Sequence, residues 1–111
     1  MKAICRSVGQ VQILDLSGKI TIAEGAIELR HLIDDLLTSG RLKILLSLDK
    51  VGFVDSAGLG EVVACYKRAL EKGGTIKILR PSGKVADLLS LTRITEIFEV
   101  YQDEGEAIAS F

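Results

Sequence analysis

Asp55 and Ser56 are adjacent polar side chains placed where chemistry is possible, in the stretch Gly52-Phe53-Val54-Asp55-Ser56-Ala57-Gly58-Leu59-Gly60. An aliphatic run from Leu42 to Leu48 precedes the pair, and apolar residues at helical spacing from Leu59 to Leu70 follow it. The pair therefore falls where a buried strand is expected to hand over to an amphipathic helix. Such a turn exposes a hydroxyl beside unpaired backbone N–H groups and the positive end of the helix dipole. A phosphate is well accommodated there. Asp and Ser are also preferred N-caps, so the plain reading is that one of them simply starts a helix. A nucleophilic serine is a third reading, but G-x-S-x-G is absent and the single histidine, His31, belongs to a different predicted helix.

The elements that must position this turn follow from apolar spacing and breakers. Met1 to Leu16 reads as two short strands around Gly9-Gln10, a hairpin at one edge of a sheet, with Ser17-Gly18 as its stop. Lys19 to Gly25 is a connection with some apolar weight. Glu24 to Ser39 reads as a helix that turns Ala26, Leu29, Leu32, Ile33 and Leu36 to the sheet, with His31 on its polar side. Leu42 to Leu48 is apolar almost throughout, as a central strand covered on both faces requires. The helix after the motif is expected to bury Leu59, Val62, Val63, Tyr66 and Leu70. Its outer face then carries Glu61, Ala64, Arg68 and Lys72, with Cys65 at the boundary.

Thr75 to Leu79 is a further strand, closed by Arg80-Pro81. Ser82 is placed to cap a third helix with Val85, Leu88 and Leu89 on its apolar side. Ile97 to Tyr101 reads as a last short strand. Asp103 with Glu106 three residues on resembles a capping box for a final helix, Glu104 to Ser110. Strand and helix alternating after a hairpin predict one α/β domain, a mixed and mostly parallel sheet packed against about four helices.

Composition narrows the function classes. At 111 residues the chain fits one domain with a real core, and 48% hydrophobic residues with 5% aromatics make that core aliphatic. Fourteen basic residues against fifteen acidic give a net charge of −1, which speaks against a nucleic-acid or anionic-membrane surface. No apolar run approaches the roughly 18 residues of a membrane span, and Met1 to Arg6 lacks the apolar core of a signal peptide. Cys5 and Cys65 form no C-x-x-C pair, and with one histidine there is no metal-ligand set. Two free thiols fit a reducing compartment, so a cytoplasmic location is expected.

The string Val54-Asp55-Ser56-Ala57-Gly58-Leu59-Gly60 resembles the D-S-[ST]-G-L-G signature of STAS domains, in particular of bacterial anti-sigma-factor antagonists. The similarity runs from the strand ending at Gly18 to the acidic C-terminal helix. It implies that Ser56 is phosphorylated, and that Thr21, Asp55, Ser56, Ala57, Gly58, Gly60 and Glu61 contribute to a partner-binding surface. The implied partners are an anti-sigma factor with serine kinase activity and a PP2C-type phosphatase, with no cofactor and no catalysis by this chain. The chain departs from the pattern at several positions. Lys19 and Thr21 stand where the family usually has acids. Ala57 replaces the second hydroxyl, Glu61 an aliphatic residue, and Cys65 a polar or basic one. The resemblance also admits another role, as a STAS subunit of a larger assembly such as a stressosome-like complex or lipid or anion transport machinery.

Overall fold

The computed structural model describes all 111 residues. Five strands lie in sequential order: β1 (Lys2–Val8), β2 (Val11–Ile20), β3 (Lys43–Val54), β4 (Thr75–Leu79) and β5 (Val100–Tyr101). β1 pairs antiparallel with β2 across Gly9-Gln10, and every other pairing is parallel. The helices are α1 (Ala26–Thr38), α2 (Ser56–Glu71), α3 (Gly83–Leu91) and α4 (Glu104–Ala109). The single mixed α/β domain expected from the alternation is present.

The sheet buries both faces because its middle strands are aliphatic on both. Leu14, Leu16, Ile44, Leu46, Ile76 and Ile78 meet Leu29, Ile33, Val62, Cys65, Ala69, Val85 and Leu89 of α1 to α3 in one core. Val11, Ile13, Leu45 and Leu79 on the other face form a smaller core with Ala107, Ile108 and Phe111. α4 caps this second face. Asp103 accepts from the Glu106 N–H at 2.9 Å, as the capping pattern predicts. Buried Lys77 donates to the Ser110 carbonyl at 2.8 Å and lies 4.7 Å from the Phe111 ring centroid. Arg6 joins Asp15 and Glu104, tying the hairpin to α4.

Two strands outrun their sequence boundaries. β2 does not stop at Ser17-Gly18. It continues to Ile20 through register shifts between Asp15 and Ser17 and between Gly18 and Lys19, with Gly18 at φ +96°. These bulges let it follow β3, which continues past Leu48 to Val54. At the other end β5 keeps only Val100–Tyr101, because Ile94–Glu96 forms a single 3-10 turn and Phe98 is buried in the main core. Ser82 precedes α3 as expected but does not cap it. Its hydroxyl donates instead to the Val51 carbonyl at 2.7 Å, fastening α3 to the end of β3.

Candidate functional site

The extended ends of β2 and β3 deliver the motif. Ile20 and Val54 are register partners, and the Asp55 N–H donates to the Ile20 carbonyl at 3.3 Å. α2 then starts at Ser56 with Asp55 as its N-cap. Asp55 Oδ1 accepts from the Gly58 N–H at 2.7 Å, while Oδ2 accepts from the Ile22 N–H at 3.1 Å. One carboxylate thus holds both the helix start and the neighbouring 20–25 loop. The N–H donors of Gly58 and Ile22 keep its carboxyl below the usual range, so it is ionised at neutral pH.

This division of labour frees Ser56. Its side chain is exposed at the first helical position and forms no hydrogen bond within the chain. No acid or base is bonded to it, so the hydroxyl lacks the nucleophile–base contact of an acyl-transfer site. His31 lies exposed on α1, and no three His, Cys, Asp or Glu side chains gather into a metal-binding group. No helix is long and apolar enough to cross a membrane.

The other residues expected at a partner surface divide into two groups. Ala57 is half-buried and Gly60 exposed, and a Cβ on Gly60 would meet nothing within 4 Å. Gly58, in contrast, packs inward. A Cβ there would lie 2.6 Å from the Ile20 carbonyl carbon, so its missing side chain serves the contact between α2 and β2. Thr21 is buried, and its hydroxyl both accepts from the Glu24 N–H at 3.0 Å and donates to the Glu24 carbonyl at 3.1 Å. It shapes the loop that Asp55 anchors.

Glu61 corrects the expected orientation of α2. The buried residues are Gly58, Glu61, Val62, Cys65 and Ala69, whereas Leu70 is 51% exposed and Leu59, Val63 and Tyr66 are half-buried. Glu61 is therefore not on a solvated outer face. Arg30 of α1 reaches one carboxylate oxygen at 2.8 Å and Arg68 of α2 the other at 3.0 Å. Cys65 Sγ lies 3.3 Å from the same carboxylate, and Arg68 also bonds Asp34 at 2.8 Å. A charge can be buried when it is paired and hydrogen-bonded in this way.

Burial pushes the Cys65 thiol up to about 12, so it stays protonated and donates to Glu61. Burial would likewise raise the Glu61 carboxyl, but hydrogen bonds from Arg30, Arg68 and Cys65 outweigh it and hold that group below its ordinary range. A depressed carboxylate contributes stability that is complete above its unfolded-state pKa of about 4.3 and is lost as pH falls through the folded value. Melting temperature followed from neutral to acid should therefore fall less steeply below pH ~4 in Glu61→Gln than in the wild type. Parallel curves would contradict this.

The sequence reading missed two residues beside the motif. Ile22 is 74% exposed and Phe53 51% exposed. Their signal was available: both are large apolar residues that no predicted helix or strand face needed. They are two of the eight large apolar side chains that the chain exposes, and they adjoin the motif: Phe53 lies two residues before Asp55, and the Ile22 N–H donates to the Asp55 carboxylate.

Residues 3–107 match the model of the STAS domain. A proposed anti-sigma factor antagonist from Thermotoga maritima is 32% identical over 101 residues, spanning 91% of this chain and 89% of the relative. The crystal structure of a protein so described from the same organism superposes with a TM-score of 0.89 at 30% identity, covering 97% of this chain and 92% of that one. The antagonist SpoIIAA shares the fold at 19% identity. Its unphosphorylated form gives a TM-score of 0.72 and its phosphorylated form 0.75, each covering 98% of this chain and respectively 96% and 98% of the other. The fold also occurs within a larger protein, the murine anion transporter Slc26a9, at TM-score 0.75 and 16% identity over 94% of this chain and 18% of that one. Together with the strand order, the Asp55-capped turn and the free Ser56 hydroxyl, these matches establish that the chain belongs to the STAS domain family, alongside anti-sigma factor antagonists.

Proposed function

We propose that this protein is an anti-sigma factor antagonist that works as a phosphorylation-controlled interaction switch. In its free-hydroxyl form it binds an anti-sigma factor that is also a serine kinase, and so releases the sigma factor. The kinase transfers the γ-phosphoryl group of ATP to Ser56 Oγ. A P–O bond to ADP breaks, a P–O bond to serine forms, and the hydroxyl proton leaves to a base on the kinase. A PP2C-type phosphatase hydrolyses the ester and restores the hydroxyl. This chain contributes the acceptor and the surface around it, and the nucleotide belongs to the kinase.

The observation that carries this reading is the unbonded, exposed Ser56 hydroxyl on a helix start already capped by Asp55. Phosphate adds about −1.5 to −2 charges and three acceptor oxygens. The helix N-terminus softens that charge within the monomer, so the fold has no need to rearrange. At a packed interface the same group collides and must shed water. Ile22 and Phe53 supply the apolar surface such an interface needs.

Incubating the purified protein with its anti-sigma factor kinase and ATP, then mapping phosphate by mass spectrometry, tests the assignment. Wild type should carry one phosphate, on Ser56, and Ser56→Ala should carry none while still binding the kinase. Phosphate on another residue of Ser56→Ala would move the switch elsewhere.

A further inference from the structure

The sheet has two edges, and they are built differently. β5 is only two residues long, which leaves little backbone for another strand to pair with. β1 is seven residues long and contains no proline. Its register with β2 runs unbroken from Lys2–Ser17 to Val8–Val11, so no bulge turns it away. No backbone N–H or C=O of Lys2–Val8 bonds to anything outside β2. An edge of this length is ordinarily guarded by charge, a bulge or proline. Its two charged residues guard little: Lys2 stands at the strand's end, and Arg6 is drawn to Asp15 and Glu104.

The hairpin decides which groups point outward. Val8 and Val11 close a two-residue loop that starts at Gly9 with φ +58°, so they exchange hydrogen bonds across the ladder. Alternation then turns the N–H and C=O of Lys2, Ile4, Arg6 and Val8 to β2. Those of Ala3, Cys5 and Ser7 point to the open edge. The side chains of these three lie on the α1 to α3 face, beside Leu16, Leu14 and Gln12, yet all three are exposed. The helix layer stops short of β1. On the other face Ile4 is 68% exposed.

We propose that β1 pairs antiparallel with β1 of a second copy, about a two-fold axis through Cys5, to make one continuous sheet. A two-fold contact needs a surface that complements itself. β1 meets that condition because its outward-bonding residues are symmetric about its centre: Ala3 faces Ser7 of the second copy, and Cys5 faces Cys5. Every outward N–H and C=O of these residues then finds a partner, about six hydrogen bonds in all. Charge agrees with this register. Lys2 meets Val8 and Arg6 meets Ile4, so no like charges stand directly opposite. A contact of one strand is small, so the dimer assembles only as concentration rises. Ser56 lies beyond the end of β3, two strands in from this edge. Both Ser56 turns therefore stay open, at opposite ends of the joined sheet, and the pairing is independent of the switch.

Sedimentation equilibrium from micromolar to millimolar protein tests the pairing. Wild type should rise toward twice the monomer mass. Cys5→Glu and Cys5→Lys should each stay monomeric, since the axis sets each new charge against its own copy. Mixed in equal amounts, the two variants should recover the doubled mass, because opposite charges then meet across the axis. Cys5 is exposed, so neither change disturbs the monomer, and thermal melts of dilute samples that match wild type verify this. Wild type that keeps the monomer mass throughout would overturn the proposal. Single variants that dimerise as wild type does would place the contact elsewhere and overturn it too, as would a mixture that stays monomeric.

Discussion

Gly58→Ala is expected to destabilise the domain by about 3 kcal/mol, a large loss for a protein of this size. The added methyl would press on the Ile20 backbone, which cannot turn aside as a flexible side chain could. Ile20 itself is fully buried and its carbonyl receives the Asp55 N–H, so relief of the clash must displace the very turn that presents Ser56. Gly60→Ala, two residues on, supplies the control. Its new methyl meets open space in a helix interior, where alanine is favoured over glycine by up to about 1 kcal/mol. Thermal unfolding of the two variants should therefore move in opposite directions, with Gly58→Ala losing roughly 10 °C or more. Equal melting temperatures would mean that Gly58 does not hold α2 against β2.

Ser56→Asp is expected to lower affinity for the anti-sigma factor kinase at least tenfold, which requires about 1.4 kcal/mol. Its melting temperature should stay close to that of wild type. The two expectations have one cause. Ser56 is exposed and bonded to nothing, so the fold loses no contact, and an acid in the first helical turn is favourable to the helix dipole. At the interface the same carboxylate introduces a charge beside Phe53 and Ile22 that must be desolvated. Calorimetric titration and a thermal melt of the same preparation separate these effects. A variant that binds poorly because it is partly unfolded would show the loss in both.

The turn could be read from sequence because its signals are local. A strand-like aliphatic run, a capping residue and a helical stripe follow one another within a few residues, and they locate the start of α2 without any knowledge of the sheet. Local information also explains the capping of α4 by Asp103. It does not decide which of Asp55 and Ser56 caps α2. That depends on Ile22, whose N–H takes the second Asp55 oxygen from more than thirty residues away in the chain.

The rotation of α2 was hidden for a related reason. Leu59, Val63, Tyr66 and Leu70 form a good apolar stripe, and a glutamate is ordinarily assigned to solvent. Burial of Glu61 makes sense only once Arg30 arrives from α1 and Arg68 from the next turns of α2. The same limit applies to Ser82, whose hydroxyl prefers the distant Val51 carbonyl to its own helix. β2 and β3 run on to Ile20 and Val54 because each supplies the other's edge, through bulges that no one-dimensional pattern announces.

Phosphate on Ser56 is expected to end a protein contact. The measurement that meets it most directly is titration of the anti-sigma factor kinase with this protein prepared in two forms, unphosphorylated and stoichiometrically phosphorylated on Ser56. The first form should bind tightly and the second with an affinity at least tenfold weaker, with treatment by the phosphatase restoring the first value. Equal affinity of the two forms would contradict it.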